Sequence, residues 1–125
     1  MRNTPLSGLL SAIFILSSVS CANTTTTSSL PEHKVGIVAH RGFWNCEEAG
    51  YAQNSVAALR QAQLAGFWGS EFDVQLTADT IVVSNHDKEY GPYKWHIIVH
   101  TYADLCQFPL PHGESFPTLS DYLRQ

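Results

Sequence analysis

The chain reads as an α/β fold built on parallel strands, and three observations point there. A continuous apolar run, Val35 to Ala39 (VGIVA), comes first. A segment with helical spacing follows, and after it an alternating run, Ser70 to Leu76 (SEFDVQL). Strand, loop, helix and strand within about forty residues make a βαβ unit, which implies parallel strands joined by a right-handed crossover.

Each element has its own reason. An unbroken apolar run such as VGIVA suits a strand covered on both faces. Residues 42–51 are rich in Gly, Asn and Glu and read as a loop. Asn54 and Ser55 then offer an N-cap, Val56, Leu59, Ala62 and Ala65 recur at helical spacing, and Gly66 supplies the stop. In SEFDVQL, Phe72, Val74 and Leu76 face one way while Glu71, Asp73 and Gln75 face the other. Ile81 to Ser84 (IVVS) is another strand, separated from Leu76 only by Thr77, Ala78, Asp79 and Thr80. Parallel neighbours need a crossover of about a dozen residues, so these two runs are expected to form an antiparallel hairpin. A turn centred between Ala78 and Asp79 places Glu71 opposite His86 and Asp73 opposite Ser84, but Thr80 rather than Gly follows Asp79, so a bulge can slip this register by one residue. Trp95 to His100 (WHIIVH) reads as a short strand. Thr101 with Asp104, and Thr118 with Asp121, resemble capping boxes with Asp in place of Glu, and the second opens a helix directly after Pro117.

At 125 residues the chain holds one domain at most. Its net charge of −4 gives no general affinity for nucleic acid or an anionic membrane. The first residues read as a leader rather than as fold. Met1-Arg2 carries a sparse positive charge, Leu9 to Leu16 (LLSAIFIL) is a short apolar centre, and small residues precede Cys21. That is the layout of a secretory signal, too short to span a bilayer comfortably. A cysteine directly after the small residues resembles a bacterial lipoprotein signal, with Cys21 as the lipidated first residue, although Ser18 stands where such signals usually have Leu. Ala22 to Ser29 (ANTTTTSS) is polar and repetitive, as expected of a disordered spacer. The resulting division is 1–21 signal, 22–33 tether and 34–125 folded domain. Cys46 and Cys106 are left as either a disulfide or two separate thiols.

The chemistry gathers at strand ends. His40 ends the first strand, Glu71 and Asp73 share a face of the second, and His86-Asp87 ends the returning strand. Two carboxylates at i and i+2 sit about 7 Å apart along a strand and can hold a hard divalent cation through oxygen. Two histidines offer a candidate base and a candidate acid near neutral pH. Arg41 is always charged and forks onto phosphate oxygens, and Gly42 lets backbone approach a ligand. Taken singly, each has a bland explanation: a solvated strand face, a surface histidine, the first residue of a loop. His33, His96, His100 and His112 are read as surface or packing residues. Together, a metal pair, two proton-transfer groups and a phosphate fork describe a phosphodiester site.

The runs AHRG, AQNSVAALRQAQLAG, SEFDVQLTAD, VVSNHD and PTLSDYL resemble, in order and spacing, those of glycerophosphodiester phosphodiesterases, over residues 35–124. The resemblance implies the N-terminal portion of a TIM-type (β/α)8 barrel of the phospholipase-C-like phosphodiesterase class. It implies cleavage of a small-molecule glycerophosphodiester to glycerol 3-phosphate and an alcohol. His40 and His86 would be the catalytic histidines, Arg41 the phosphate-binding arginine, and Glu71 and Asp73 ligands of Ca2+ or Mg2+. The family commonly has Pro-Glu-Asn where Ala52-Gln53-Asn54 stands here, which puts a metal-facing role at Gln53 in doubt. Such barrels need roughly 250 residues, and the family's third metal carboxylate comes from a later strand, so the chain is expected to be a truncated domain. The alternatives are a phospholipase-like or sphingomyelinase-D-like barrel enzyme, and a non-catalytic lipid-tethered binding protein or pseudoenzyme. The leader implies export to the periplasm or cell surface, with lipid anchorage to a bacterial membrane through Cys21.

Overall fold

The computed structural model describes residues 10–14 and 35–125. Cys21, the tether over 22–33 and the rest of the expected leader lie outside the described residues. The elements are β1 (Leu10–Phe14), β2 (Val38–Ala39), α1 (Val56–Leu64), β3 (Gly69–Leu76), β4 (Val82–Ser84), β5 (Glu89–Tyr90), β6 (Trp95–His96), α2 (Tyr102–Leu105) and α3 (Leu119–Arg124). Short 3-10 turns lie at Glu47–Ala49 and Ile97–Val99.

β3 organises the sheet. It pairs in parallel with β2, the expected βαβ arrangement, and antiparallel with β4 and β1. Val74 pairs with both Ser84 and Leu10, and Ser70 with both Ala39 and Phe14. A residue has two edges, so β2 and β4 share one edge of β3 while β1 takes the other. β2 and β4 therefore lie end to end, and their chains leave the sheet toward each other opposite residues 71–73. This junction positions the site. Leu10–Phe14, the apolar centre of the expected leader, lies along the remaining edge of β3 and pairs with its backbone groups. Among the described residues the strands do not close into a barrel; they form an open α/β fragment.

Three expectations are corrected. The hairpin is shifted by one residue: Val74, not Asp73, pairs with Ser84, and beyond that pair the Asn85 N–H donates to the Asp73 carbonyl. The cause is a three-residue loop. Thr77 accepts the Ile81 N–H on its hydroxyl and donates its own N–H to the Ile81 carbonyl. Thr80 takes φ +64°, the left-handed residue that such loops require. The first strand is shorter than its apolar run, for only Val38–Ala39 pair, and Val35 and Ile37 are exposed. β2 is an edge strand, with nothing beyond it among the described residues to cover it. Of the run 95–100, only Trp95–His96 are strand, because Ile97–Val99 tighten into a 3-10 turn that buries Ile97.

The helix and both capping boxes form as expected. Ser55 caps α1, its hydroxyl accepting the Ala58 N–H, and Gly66 follows the last turn at φ +72°. Thr118 and Asp121 cap each other's backbone N–H at α3, as do Thr101 and Asp104 at α2. Two apolar clusters hold the elements together. Leu59, Phe72 and Tyr122 join α1, β3 and α3. Val83, Ile97, Leu105 and Phe116 pack beneath the hairpin, with Tyr90 stacked on Phe116. Cys46 and Cys106 are free thiols. No helix among the described residues is long and apolar enough to cross a membrane.

Candidate active site

The first three site residues follow β2 directly. His40 lies at the mouth, its side chain largely exposed, with Nε2 3.9 Å from Glu71 Oε2. Arg41 turns the chain through φ +58° and donates its backbone N–H to the same Glu71 oxygen at 3.0 Å. Its guanidinium folds back over β3. Nη1 donates to Gln53 Oε1 at 2.6 Å, and Nε is 3.6 Å from Asp73 Oδ2. That Nε is buried and makes no hydrogen bond.

Gly42 has a structural reason of its own. At φ +82° it lies against α1, where a Cβ would come within 2.6 Å of the Ala58 Cβ. The neighbouring Phe43 N–H donates to the Ala58 carbonyl at 3.0 Å. Close contact with the helix thus holds the turn that presents His40 and Arg41.

Glu71 and Asp73 lie two residues apart on β3 and point to one face, as the alternation predicts. Asp73 is buried, and it is held by a residue that sequence reasoning read only as part of a helix cap. Asn54 Nδ2 donates to Asp73 Oδ2 at 3.2 Å, and Asn54 Oδ1 accepts the Asp73 N–H at 3.0 Å. The Asn54 backbone N–H donates to the Arg41 carbonyl at 3.0 Å. Asn54 itself is buried and sits at φ +56°. The signal for it was weak: an Asn just before a capping Ser is usually a turn residue. Gln53 likewise emerges as the partner of Arg41.

The returning strand adds His86. It lies two residues beyond the end of β4, past the last pair of the ladder, so it is not the cross-strand partner of Glu71. Its Nδ1 lies 2.8 Å from Asp87 Oδ1, and its carbonyl accepts from Gln75 Nε2 at 3.1 Å. Gln75 shares the face of Glu71 and Asp73, and through it the His86 backbone is tied to the strand that carries them. Asn85 steadies this corner, donating its N–H to the Asp73 carbonyl and its side chain to the Asp87 carbonyl. The structure thus links His40 to Glu71 and Arg41 to both Glu71 and Asp73, with His86-Asp87 on the adjoining chain end.

The donor set can be weighed against a metal. Two carboxylates on one strand face are the oxygen chemistry that a hard divalent cation takes. Among the described residues no third His, Cys, Asp or Glu joins them as a metal-holding group. The pair therefore fits part of a coordination shell, in which water or substrate oxygens would complete the ligands.

Against this geometry the comparisons with known proteins are specific. The glycerophosphoryl diester phosphodiesterase family matches residues 40–125. A crystal structure of a glycerophosphodiester phosphodiesterase from Parabacteroides distasonis superimposes with a TM-score of 0.65 at 45% identity, covering 71% of this chain and 36% of that one. Another from Thermotoga maritima gives 0.58 at 29% identity, covering 74% of this chain and 40% of its own. Glycerophosphodiester phosphodiesterase 1 of Bos taurus is 42% identical over 57 residues, which are 46% of this chain and 16% of the bovine protein. The chain thus spans well under half the length of these relatives. Because the match covers residues 40–125, well over half of the sequence, the chain belongs to the glycerophosphoryl diester phosphodiesterase family.

Proposed function

We propose that the chain carries the phosphate-binding and proton-transfer part of a metal-dependent phosphoric diester hydrolase acting on glycerophosphodiesters, within the barrel architecture of its family. The observation that carries this reading is the convergence of His40, Arg41, Glu71 and Asp73 where β2 and β4 meet. Glu71 and Asp73 would hold Ca2+ or Mg2+, and the bound cation would supply Lewis-acid neutralisation of the phosphate charge.

The residues divide the work by position. Arg41 offers its guanidinium to a phosphate oxygen; Gln53, a neutral partner, orients the fork without cancelling its charge. His40 and His86 serve the two proton transfers: one accepts the proton of the attacking hydroxyl, and the other protonates the departing alcohol oxygen as the P–O bond breaks. Asp87 on Nδ1 orients His86 and leaves Nε2 for that exchange. With a glycerol hydroxyl as nucleophile, the first step forms a cyclic phosphate and frees the alcohol. Water then opens the ring to glycerol 3-phosphate, so the net reaction consumes one water.

Incubating the chain, extended through the strands that complete the barrel, with glycerophosphocholine and Ca2+ or Mg2+ tests this, beside residues 30–125 alone, which are expected to turn over slowly or not at all. Release of glycerol 3-phosphate and choline is expected, abolished by EDTA and lowered about 10²–10⁴-fold by His40→Ala. Release unaffected by EDTA or by that substitution would overturn the assignment. Release of choline with the glycerol phosphate left as its cyclic diester would instead favour the phospholipase-like or sphingomyelinase-D-like alternative. A second reading, a non-catalytic binding protein, has one observation in its favour: only two acidic ligands gather among the described residues. It predicts substrate binding with no product. Anchorage through Cys21 belongs to the same proposal, supported by the leader pattern. Expressed in bacteria, the chain should incorporate a labelled fatty acid, and Cys21→Ala should not.

A further inference from the structure

We infer that Asn54 is the positioning residue of this site, setting which oxygen of Asp73 is offered to a cation. The inference rests on the proposed cation site and adds a residue to it. Asn54 grips Asp73 twice, accepting its backbone N–H and donating to Oδ2. Those two bonds fix both the strand backbone at Asp73 and the rotation of its carboxylate. Oδ2 is thereby committed to Asn54 and to the Arg41 side, where Nε approaches within 3.6 Å. Oδ1 is the oxygen that these contacts leave over. The same Asn54 holds the Arg41 carbonyl through its own N–H, so one buried amide ties the phosphate-binding turn to the cation-binding strand.

The cost of this arrangement is visible in the backbone. Asn54 adopts φ +56°, a conformation that side chains other than glycine rarely take. The adjoining helix keeps it there. Ser55 caps α1 from within, and Glu114 reaches from the loop before α3 to accept the N–H groups of Val56 and Ala57 at 2.7 and 3.1 Å. A residue outside the ligand set that orients a ligand in this way typically changes metal affinity about 10–100-fold when removed.

Asn54→Gly separates the side chain from the backbone, because glycine accepts positive φ without strain. Terbium(III), a hard oxygen-seeking ion, serves as the probe, titrated into the full chain and followed by its sensitised luminescence. The expected result is about 10–100-fold weaker binding in Asn54→Gly, a loss at least as large in Asp73→Asn, and no further loss in the double variant. Wild-type affinity in a folded Asn54→Gly, or additive losses in the double variant, would overturn the inference. Should the wild-type chain take up no terbium, the cation reading itself fails. Hydrogen exchange then decides Asn54: loss of protection at the Asp73 amide alone, with the other β3 amides still protected, supports the clamp, and unchanged protection at Asp73 refutes it.

Discussion

Gly42 shows how tightly the turn after β2 is specified. Its φ of +82° and the 2.6 Å approach of a built Cβ to Ala58 oppose any side chain there. Gly42→Ala combines backbone strain of about 1–3 kcal/mol with overpacking of a similar order, about 1–3 kcal/mol. A denaturant titration should show a lower midpoint with an unchanged slope. The residues around Gly42 were legible in part. His40, Arg41, Glu71 and Asp73 stood out because unusual chemistry sits at strand ends and on one strand face. Asn54 and Gln53 did not, because their roles depend on partners twelve and nineteen residues away. No local pattern in a sequence records such a contact.

At the scale of elements, α3 is short and depends on its cap. Hydrogen bonding to Thr118 holds the Asp121 carboxyl below its ordinary value of 3.8. A depressed carboxylate contributes stability that is present above the ordinary value and is lost as pH falls through the lower, folded one. Asp121→Ala should therefore cost about 1 kcal/mol near neutral pH and progressively less in acid, as read by thermal melts across pH. The consequence reaches the core, because α3 delivers Tyr122. That ring lies 4.4 Å from Phe72, and its hydroxyl donates to the Ser55 carbonyl at 2.9 Å. Glu114 is the counterpart for α1. Its carboxylate caps the first helical N–H groups from more than fifty residues away and also meets His112 at 3.0 Å. Both Thr-Asp boxes could be read from sequence because each is complete within four residues. The cap from Glu114 could not, and the one-residue slip of the hairpin, open in the sequence because no glycine follows Asp79, is decided only by the left-handed Thr80.

For the molecule as a whole, two conditions should reveal how it holds together. Burial pushes the Tyr90 phenol up to about 12, from an ordinary value of 10. A raised tyrosine favours the neutral form in the fold, so its contribution is full below pH 10 and is lost as pH rises through about 12. Tyr90 stacks on Phe116 and donates to the Phe108 carbonyl, so its ionisation should loosen the cluster beneath the hairpin. Tyrosinate absorbance and circular dichroism should change together on that alkaline limb. The second condition is the edge of β3, along which Leu10–Phe14 pair from Ser70 to Val74. A chain beginning at Cys21 would leave that row of backbone donors and acceptors bare. Exposed edges of this kind invite pairing between chains, so self-association is expected in sedimentation velocity, and the full chain should show less of it.

Sequence by itself determined the βαβ order, the helix over α1, both Thr-Asp caps and the candidate residues at the strand ends. These are properties of neighbours along the chain, where spacing and residue type act within a turn or a strand. Tertiary structure alone decided the meeting of β2 and β4 on one edge of β3, the clamp of Asn54 on Asp73 and the pairing of Gln53 with Arg41. It also decided which apolar residues stay exposed at the edges. Those outcomes depend on which surfaces approach one another in space, and a strand carries no mark of which edge its partner will take until the rest of the chain has packed.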